Sequence, residues 1–277
     1  MNMQIESIAL QVASFLYFIS LTGYILFFIN QKQKYQKLSF FIILAGIVCH
    51  FIYILAYIVS KGSLPVHNLS ENLCMAGFAF GAVFLFFQYK LNLKVLGAFA
   101  SLLLSIIMLS VLIIPESVVE QNALLKGFWF YSHIIFIFTG EAALALACGA
   151  GILYLLQEKG IKTKKLGFFF KRLPSLDFLD NVGYLCLSFG FGMLTIGLIT
   201  GFVYAKNIWG SFWSADIKEI FSIGVWLVYA ALLHLRFYAG WHGRKTAIMT
   251  ILGFCIIIFV FLGVNMLLGG HHQGFTK

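Results

Sequence analysis

Charge is what this chain has least of. Only 10% of its 277 residues are Asp, Glu, Lys or Arg, against about 25% in soluble domains, so it cannot cover a water-facing surface. With 61% hydrophobic residues and a mean hydropathy of +0.94, the composition excludes a large soluble catalytic domain. Acidic residues are scarcest, ten against nineteen basic, for a net charge of +9. Paired cysteines are absent too. Cys49, Cys74, Cys148, Cys186 and Cys255 sit singly in apolar stretches with no C-x-x-C pair. That excludes a disulfide-built secreted fold, and they read as small core residues. The first apolar stretch lacks both a basic n-region and a small-residue cleavage site, so it reads as a helix and not a signal peptide. No internal repeat or low-complexity tract stands out.

What remains is apolar sequence in membrane-crossing lengths. A spanning helix needs about 20 largely apolar residues, and eight segments qualify: 7–30, 38–60, 70–89, 95–114, 128–156, 181–204, 217–238 and 247–268. The expected fold class is an all-α polytopic membrane protein with eight transmembrane helices, forming a single membrane domain over 1–277. Basic residues orient it. Fourteen of the nineteen fall on the side holding Lys32, Lys34, Lys37, Lys90, Lys94, the run from Lys159 to Arg172, Arg236, Arg244 and Lys245. Cytoplasmic loops collect Lys and Arg, so both termini are expected on the outer, extracytoplasmic side. The net charge of +9 is mostly this bias, and nucleic-acid binding is excluded as its meaning. Loops 61–69, 115–127 and 205–216 and the tail 269–277 then lie outside, while the basic stretch 157–180, with Pro174, reads as a solvated inner connector.

Ionisable residues inside a membrane are costly and by default mark function. His50 sits near the middle of the second span and His234 in the inner half of the seventh. Each fits a neutral imidazole bonded to a neighbouring helix or an axial ligand of haem iron. Their depths differ by roughly 10 Å at 1.5 Å per residue. A second set lies on the expected outer side: His133 opens the fifth span, and His271 and His272 follow the eighth. Between them in sequence runs the aromatic segment 204–216, with Trp209 and Trp213. Flat rings can stack on a porphyrin face while imidazoles close on the iron, although interfacial tryptophans also anchor ordinary membrane helices. Asp216 and Glu219 open the seventh span, where acidic groups suit the helix dipole. Glu141 lies eight residues into the fifth span from His133, and reads as part of a proton path or as bonded to a neighbour. His67 and His242 read as exposed loop residues.

From Gly201 onward the chain resembles the CcsA (ResC-type) family of cytochrome c assembly proteins, whose tryptophan-rich signature runs roughly W-A-x(4)-W-G-x-[YF]-W-x-W-D-P-K-E. Here it reads Tyr204-Ala205, then Trp209-Gly210-Ser211-Phe212-Trp213-Ser214-Ala215-Asp216-Ile217-Lys218-Glu219. Trp226-Leu227-Val228-Tyr229-Ala230, Leu233-His234-Leu235-Arg236, Gly240-Trp241 and Gly263-Val264-Asn265 continue it, and Pro65 with Asn68-Leu69 and Glu71 resembles the family's segment before the third span. The likeness covers about residues 40–275 and is sharpest in the last third.

The resemblance implies a haem-handling protein of the bacterial cytoplasmic membrane, a component of a haem lyase (holocytochrome c synthase). It implies non-covalent b-type haem, apocytochrome c and a separate ResB-type membrane subunit as partners. His133 and His272 match the external haem ligands, with His271 one residue off as an alternate, and Trp209, Trp213 and Asp216 match the platform between them. His50 and His234 match the two membrane histidines. Tyr204 and Ala215 replace tryptophans of the signature, and Ile217 replaces its proline. That thinned platform keeps a second implication open, a HemX-type relative that controls haem synthesis without attaching haem. A bis-histidine electron-transfer cytochrome fits poorly, because no span carries two histidines about four turns apart. A membrane regulator or transporter without haem also remains open.

Overall fold

Several of the helices start or stop where the sequence supplies caps. In the computed structural model, which describes residues 2–114, 126–164, 167, 172–213 and 216–264, the chain forms α1 (Asn2–Asn30), α2 (Gln33–Lys61), α3 (Leu69–Leu91), α4 (Leu96–Ile113), α5 (Phe128–Lys162), α6 (Leu176–Trp209), α7 (Ile217–Tyr238) and α8 (Arg244–Ile258). A π-helical turn, Phe259–Val264, continues α8. Among the described residues there is no strand, and all eight segments are long and apolar enough to cross a membrane.

Asn68 and Glu71 form a reciprocal cap at the start of α3. The Asn68 side chain accepts from Glu71 N and donates to its carboxylate, both at 2.9 Å, which satisfies a helix-end donor. The same carboxylate accepts from the backbone N–H of His67 at 2.7 Å and from the Tyr57 hydroxyl at 2.9 Å. Ser175 caps α6 and Asp216 caps α7 through their side-chain oxygens. Gly62 and Gly210, both left-handed at φ 71° and 74°, end α2 and α6. That conformation is steric strain for residues bearing a Cβ.

Two compact units result, residues 1–125 with α1–α4 and residues 126–276 with α5–α8. In the first, α1 packs on α2 and α4, and α3 on α4 and α2. Tyr24 lies against Gly97, where a Cβ would stand 2.1 Å from its ring, and its hydroxyl donates to Gln88 Oε1 at 2.7 Å. In the second, α5 packs on α6 and α8, and α7 on α6 and α8. Large apolar side chains such as Phe15, Phe41, Val59, Phe86, Leu227 and Phe237 are exposed. In water such surfaces associate, whereas lipid tails solvate them without penalty.

Glycines bring α5 and α6 together. A Cβ on Gly140 would lie 2.8 Å from Leu194 N and 3.0 Å from Gly190 O. Both atoms are backbone, so no rotamer change relieves the overlap. Gly140→Ala should cost about 3 kcal/mol, the upper part of the overpacking range, read as a lowered unfolding midpoint in detergent. Gly192→Ala, on α6 with nothing within 4 Å, should leave it unchanged. Equal midpoints for the two variants would show that the seam tolerates separation.

Candidate functional site

His133 lies in the first two turns of α5, and α6 shapes the space that holds it. Its Nδ1 stands 2.7 Å from the carbonyl oxygen of Gly197. A carbonyl only accepts, so Nδ1 carries the proton, and the neutral ring then holds its lone pair on Nε2. This is the arrangement in which metal-binding imidazoles are commonly held. One turn along α6, a Cβ on Gly201 would meet the ring at 2.6 Å from Nδ1 and 2.8 Å from Cε1. The ring occupies the room that Gly201 leaves. The Gly197 oxygen also accepts from Thr200 Oγ1 at 2.9 Å.

Aromatic rings collect at the same end of the unit. Phe130 packs on Tyr204 (centroids 5.3 Å), Tyr204 on Trp209 (6.0 Å), and Phe202 on Trp213 (6.3 Å). The expected loop at 205–216 is shorter than the sequence suggests: α6 continues to Trp209, whose indole therefore sits on its last turn. Tyr204 is buried between its neighbours, so this signature position packs instead of presenting a face. Trp213 remains 42% exposed. Asp216 is buried as the cap of α7, accepting from Lys218 N at 2.9 Å. His272 and its alternate His271 lie outside the described residues.

The membrane histidines fall in different units. His50, fully buried on α2, uses both ring nitrogens: Nδ1 is 3.2 Å from the Tyr17 hydroxyl and Nε2 is 3.0 Å from Cys74 Sγ. Coordinating a metal through Nε2 would require Cys74 to give way. His234 is exposed on α7, its ring stacked on Tyr238 at 4.6 Å. Glu141 is half-buried on α5. His242 is 63% exposed at its side chain, as expected of a loop residue. His67 is not: only 3% exposed, it pairs Nε2 with Ser63 Oγ at 2.9 Å. The short chain from Ser63 to Asn68 folds back over it, which its polar, Pro-containing sequence does not announce.

A second polar cluster escaped the sequence reading. Arg236, 5% exposed at its side chain, makes a bidentate pair with Asp180 at 3.0 and 2.8 Å. Its guanidinium lies 4.6 Å over the Tyr184 ring. Asp180 also accepts from Gly243 N at 3.0 Å, and Gly243 adopts φ 63°, ψ −122°, a conformation open to glycine almost alone. Carboxylate, guanidinium and turn thus tie α6, α7 and the start of α8 together. Asp180 reads as the edge of a loop in sequence, and Arg236 as one more inner-side cation. A buried Arg in the last turn of a span was the available signal.

Among the described residues, no three His, Cys, Asp or Glu side chains gather as a metal site. Haem, with two axial imidazoles, needs no such cluster. The donor set at His133 fits an iron ligand by the proton placement on Nδ1.

Comparison with known proteins agrees in kind. The cytochrome c assembly protein family matches residues 66–272. A CcsA cytochrome c biogenesis protein of Guillardia theta is 36% identical over 236 residues, covering 78% of each chain. One from Prochlorococcus marinus (strain MIT 9313) is 31% identical over 77% of each, and one from Cyanophora paradoxa is 29% identical over 98% of each. Among solved structures, the cytochrome c haem lyase CcmF superposes with a TM-score of 0.65 at 13% identity, over all of this chain and 47% of that one. This last likeness is one of fold, and the chain spans about half the length of that protein. On the extent of the family match and the likeness to several CcsA proteins, the chain is a multi-pass membrane protein belonging to the CcsA-type cytochrome c assembly family.

Proposed function

We propose that this protein binds haem non-covalently on the outer face of a bacterial cytoplasmic membrane and presents it for covalent attachment to apocytochrome c, working beside a ResB-type subunit. Both termini lie outside in this reading, following the distribution of basic residues. His133 and His272 would hold the iron, Trp209 and Trp213 would bear on the ring, and Asp216 caps the start of α7. The observation that carries the reading is the Nδ1 contact of His133 with the Gly197 carbonyl at 2.7 Å, which directs Nε2 as the coordinating atom.

The bound porphyrin supplies two vinyl groups, across which the two thiols of a C-x-x-C-H segment add. Each addition forms one C–S bond and one C–H bond, with the sulfur's proton retained in the product, so no oxidant is consumed. The chain's own residues contribute position. His133 holds the iron at one orientation, and the aromatic side chains limit rotation and exclude water from the ring faces. All five cysteines are single and lie within helices, so the apocytochrome's disulfide is reduced by another protein. His50 and His234 serve in this reading as transient ligands within the bilayer, with His50 released from Cys74 when it coordinates.

The test pairs a spectrum with a maturation assay. The purified full chain supplied with hemin should show a Soret band, and a strain lacking the chain should lose holocytochrome c. No band would reject haem binding. A band together with normal c-type cytochromes in the deletion strain would assign the HemX-type regulatory role instead.

A further inference from the structure

We propose that Gly201 and the Gly197 carbonyl of α6 are the positioning elements that fix the ring plane and tautomer of His133, so that Nε2 and not Nδ1 meets iron. This rests on the haem reading above and adds to it the residues that orient the ligand. Gly197 and Gly201 stand four apart on one face of α6, and such positions are stacked neighbours on a helix. The first supplies an oxygen 2.7 Å from Nδ1; the second supplies room, since its absent Cβ would stand 2.6 Å from that same atom. One glycine sets which nitrogen is protonated, and the other sets how close the ring can come to make that bond.

The surrounding contacts make the arrangement rigid. A Cβ on Gly197 would meet Ile137 at 2.8 Å to Cδ1 and 3.1 Å to its backbone N, one turn along α5 from His133. The two helices are therefore in close contact one turn from where the ring is gripped. Thr200, buried on the adjoining face, shares its one hydroxyl proton between the Gly197 and Ile196 oxygens, each at 2.9 Å. Its share at Gly197 competes with His133 for that acceptor and so tempers the electron release from imidazole to metal. A neutral donor sharing the oxygen weakens the Nδ1–H bond, and a weaker bond makes Nε2 less basic.

Hemin titration of the purified full chain, followed by absorbance and by reductive potentiometry, tests this. Gly201→Ala should weaken hemin affinity by roughly 10–100-fold, the usual cost of losing an outer partner of a metal ligand, while Gly192→Ala, with open space around it, should match the parent. Thr200→Val, which adds no volume in the slot, should lower the haem midpoint potential by leaving the oxygen to His133 alone. Imidazole separates positioning from packing: His133→Gly should regain the parent spectrum with added imidazole, and His133→Gly with Gly201→Ala should regain it equally. Parental affinity in Gly201→Ala, an unmoved potential in Thr200→Val, or failed imidazole rescue only in the double variant would each overturn the proposal. His133→Ala with an unchanged spectrum would instead remove the haem reading itself.

Discussion

His133→Ala is expected to abolish holocytochrome c formation and to lower haem occupancy by more than roughly 100-fold, since even outer partners of a metal ligand cost 10–100-fold. The substitution should leave the fold nearly untouched. The Gly197 carbonyl keeps Thr200 Oγ1 as a donor at 2.9 Å, so no buried acceptor is orphaned, and the ring's space opens toward Gly201, which has no side chain to collapse. Unfolding in detergent should stay within about 1 kcal/mol of the parent, so a missing Soret band cannot be laid to misfolding. His272→Ala, at the second proposed ligand, should give the same spectral loss. Full maturation in both variants would reject the assigned pair, and loss in one alone would reject a shared iron.

The second large effect concerns stability. Arg236→Ala removes both guanidinium bonds from Asp180 and leaves its carboxylate, 15% exposed, with Gly243 N at 3.0 Å and the His242 ring at 3.6 Å. Breaking a buried pair from one side costs about 3–5 kcal/mol, and the partial exposure of Asp180 points to the lower end. Arg236→Lys should recover little, because an ammonium cannot make the two parallel bonds or lie flat over Tyr184. Asp180→Asn leaves an arginine that stays charged at any working pH, so it should destabilise comparably. A midpoint for Arg236→Ala within 0.5 kcal/mol of the parent, the scale of an exposed ion pair, would show that the cluster is solvated.

How far the sequence foretold this molecule depends on the reach of each interaction. The span at 217–238 coincides with α7, because Asp216 caps it and Gly240, left-handed at φ 63°, follows its end. Expected limits of 128–156 and 181–204 fell short of α5 and α6. Hydropathy reads Glu158, Asp177, Asp180 and Lys206 as loop, yet helical hydrogen bonding continues through them, helped by the Ser175 cap and the Glu158–Lys162 pair at 2.7 Å. The site divides likewise. His133 and the tryptophans were legible as residue types at the ends of neighbouring spans. The partners that give them meaning were not: Gly197 lies 64 residues from His133, and Tyr17 and Cys74 lie 33 and 24 from His50. His67 was misread for a different reason: its partners Ser63 and Glu71 are each four residues away, but the fold of the short loop that buries it is not written in its polarity.

The pair at Asp180 has a consequence for biosynthesis. Asp180 leaves the ribosome 56 residues before Arg236 and 63 before Gly243. At 5–20 residues per second, that carboxylate waits roughly 3 to 11 seconds without its counter-ion. Through that interval the acid has no buried partner, and water or headgroups must solvate it.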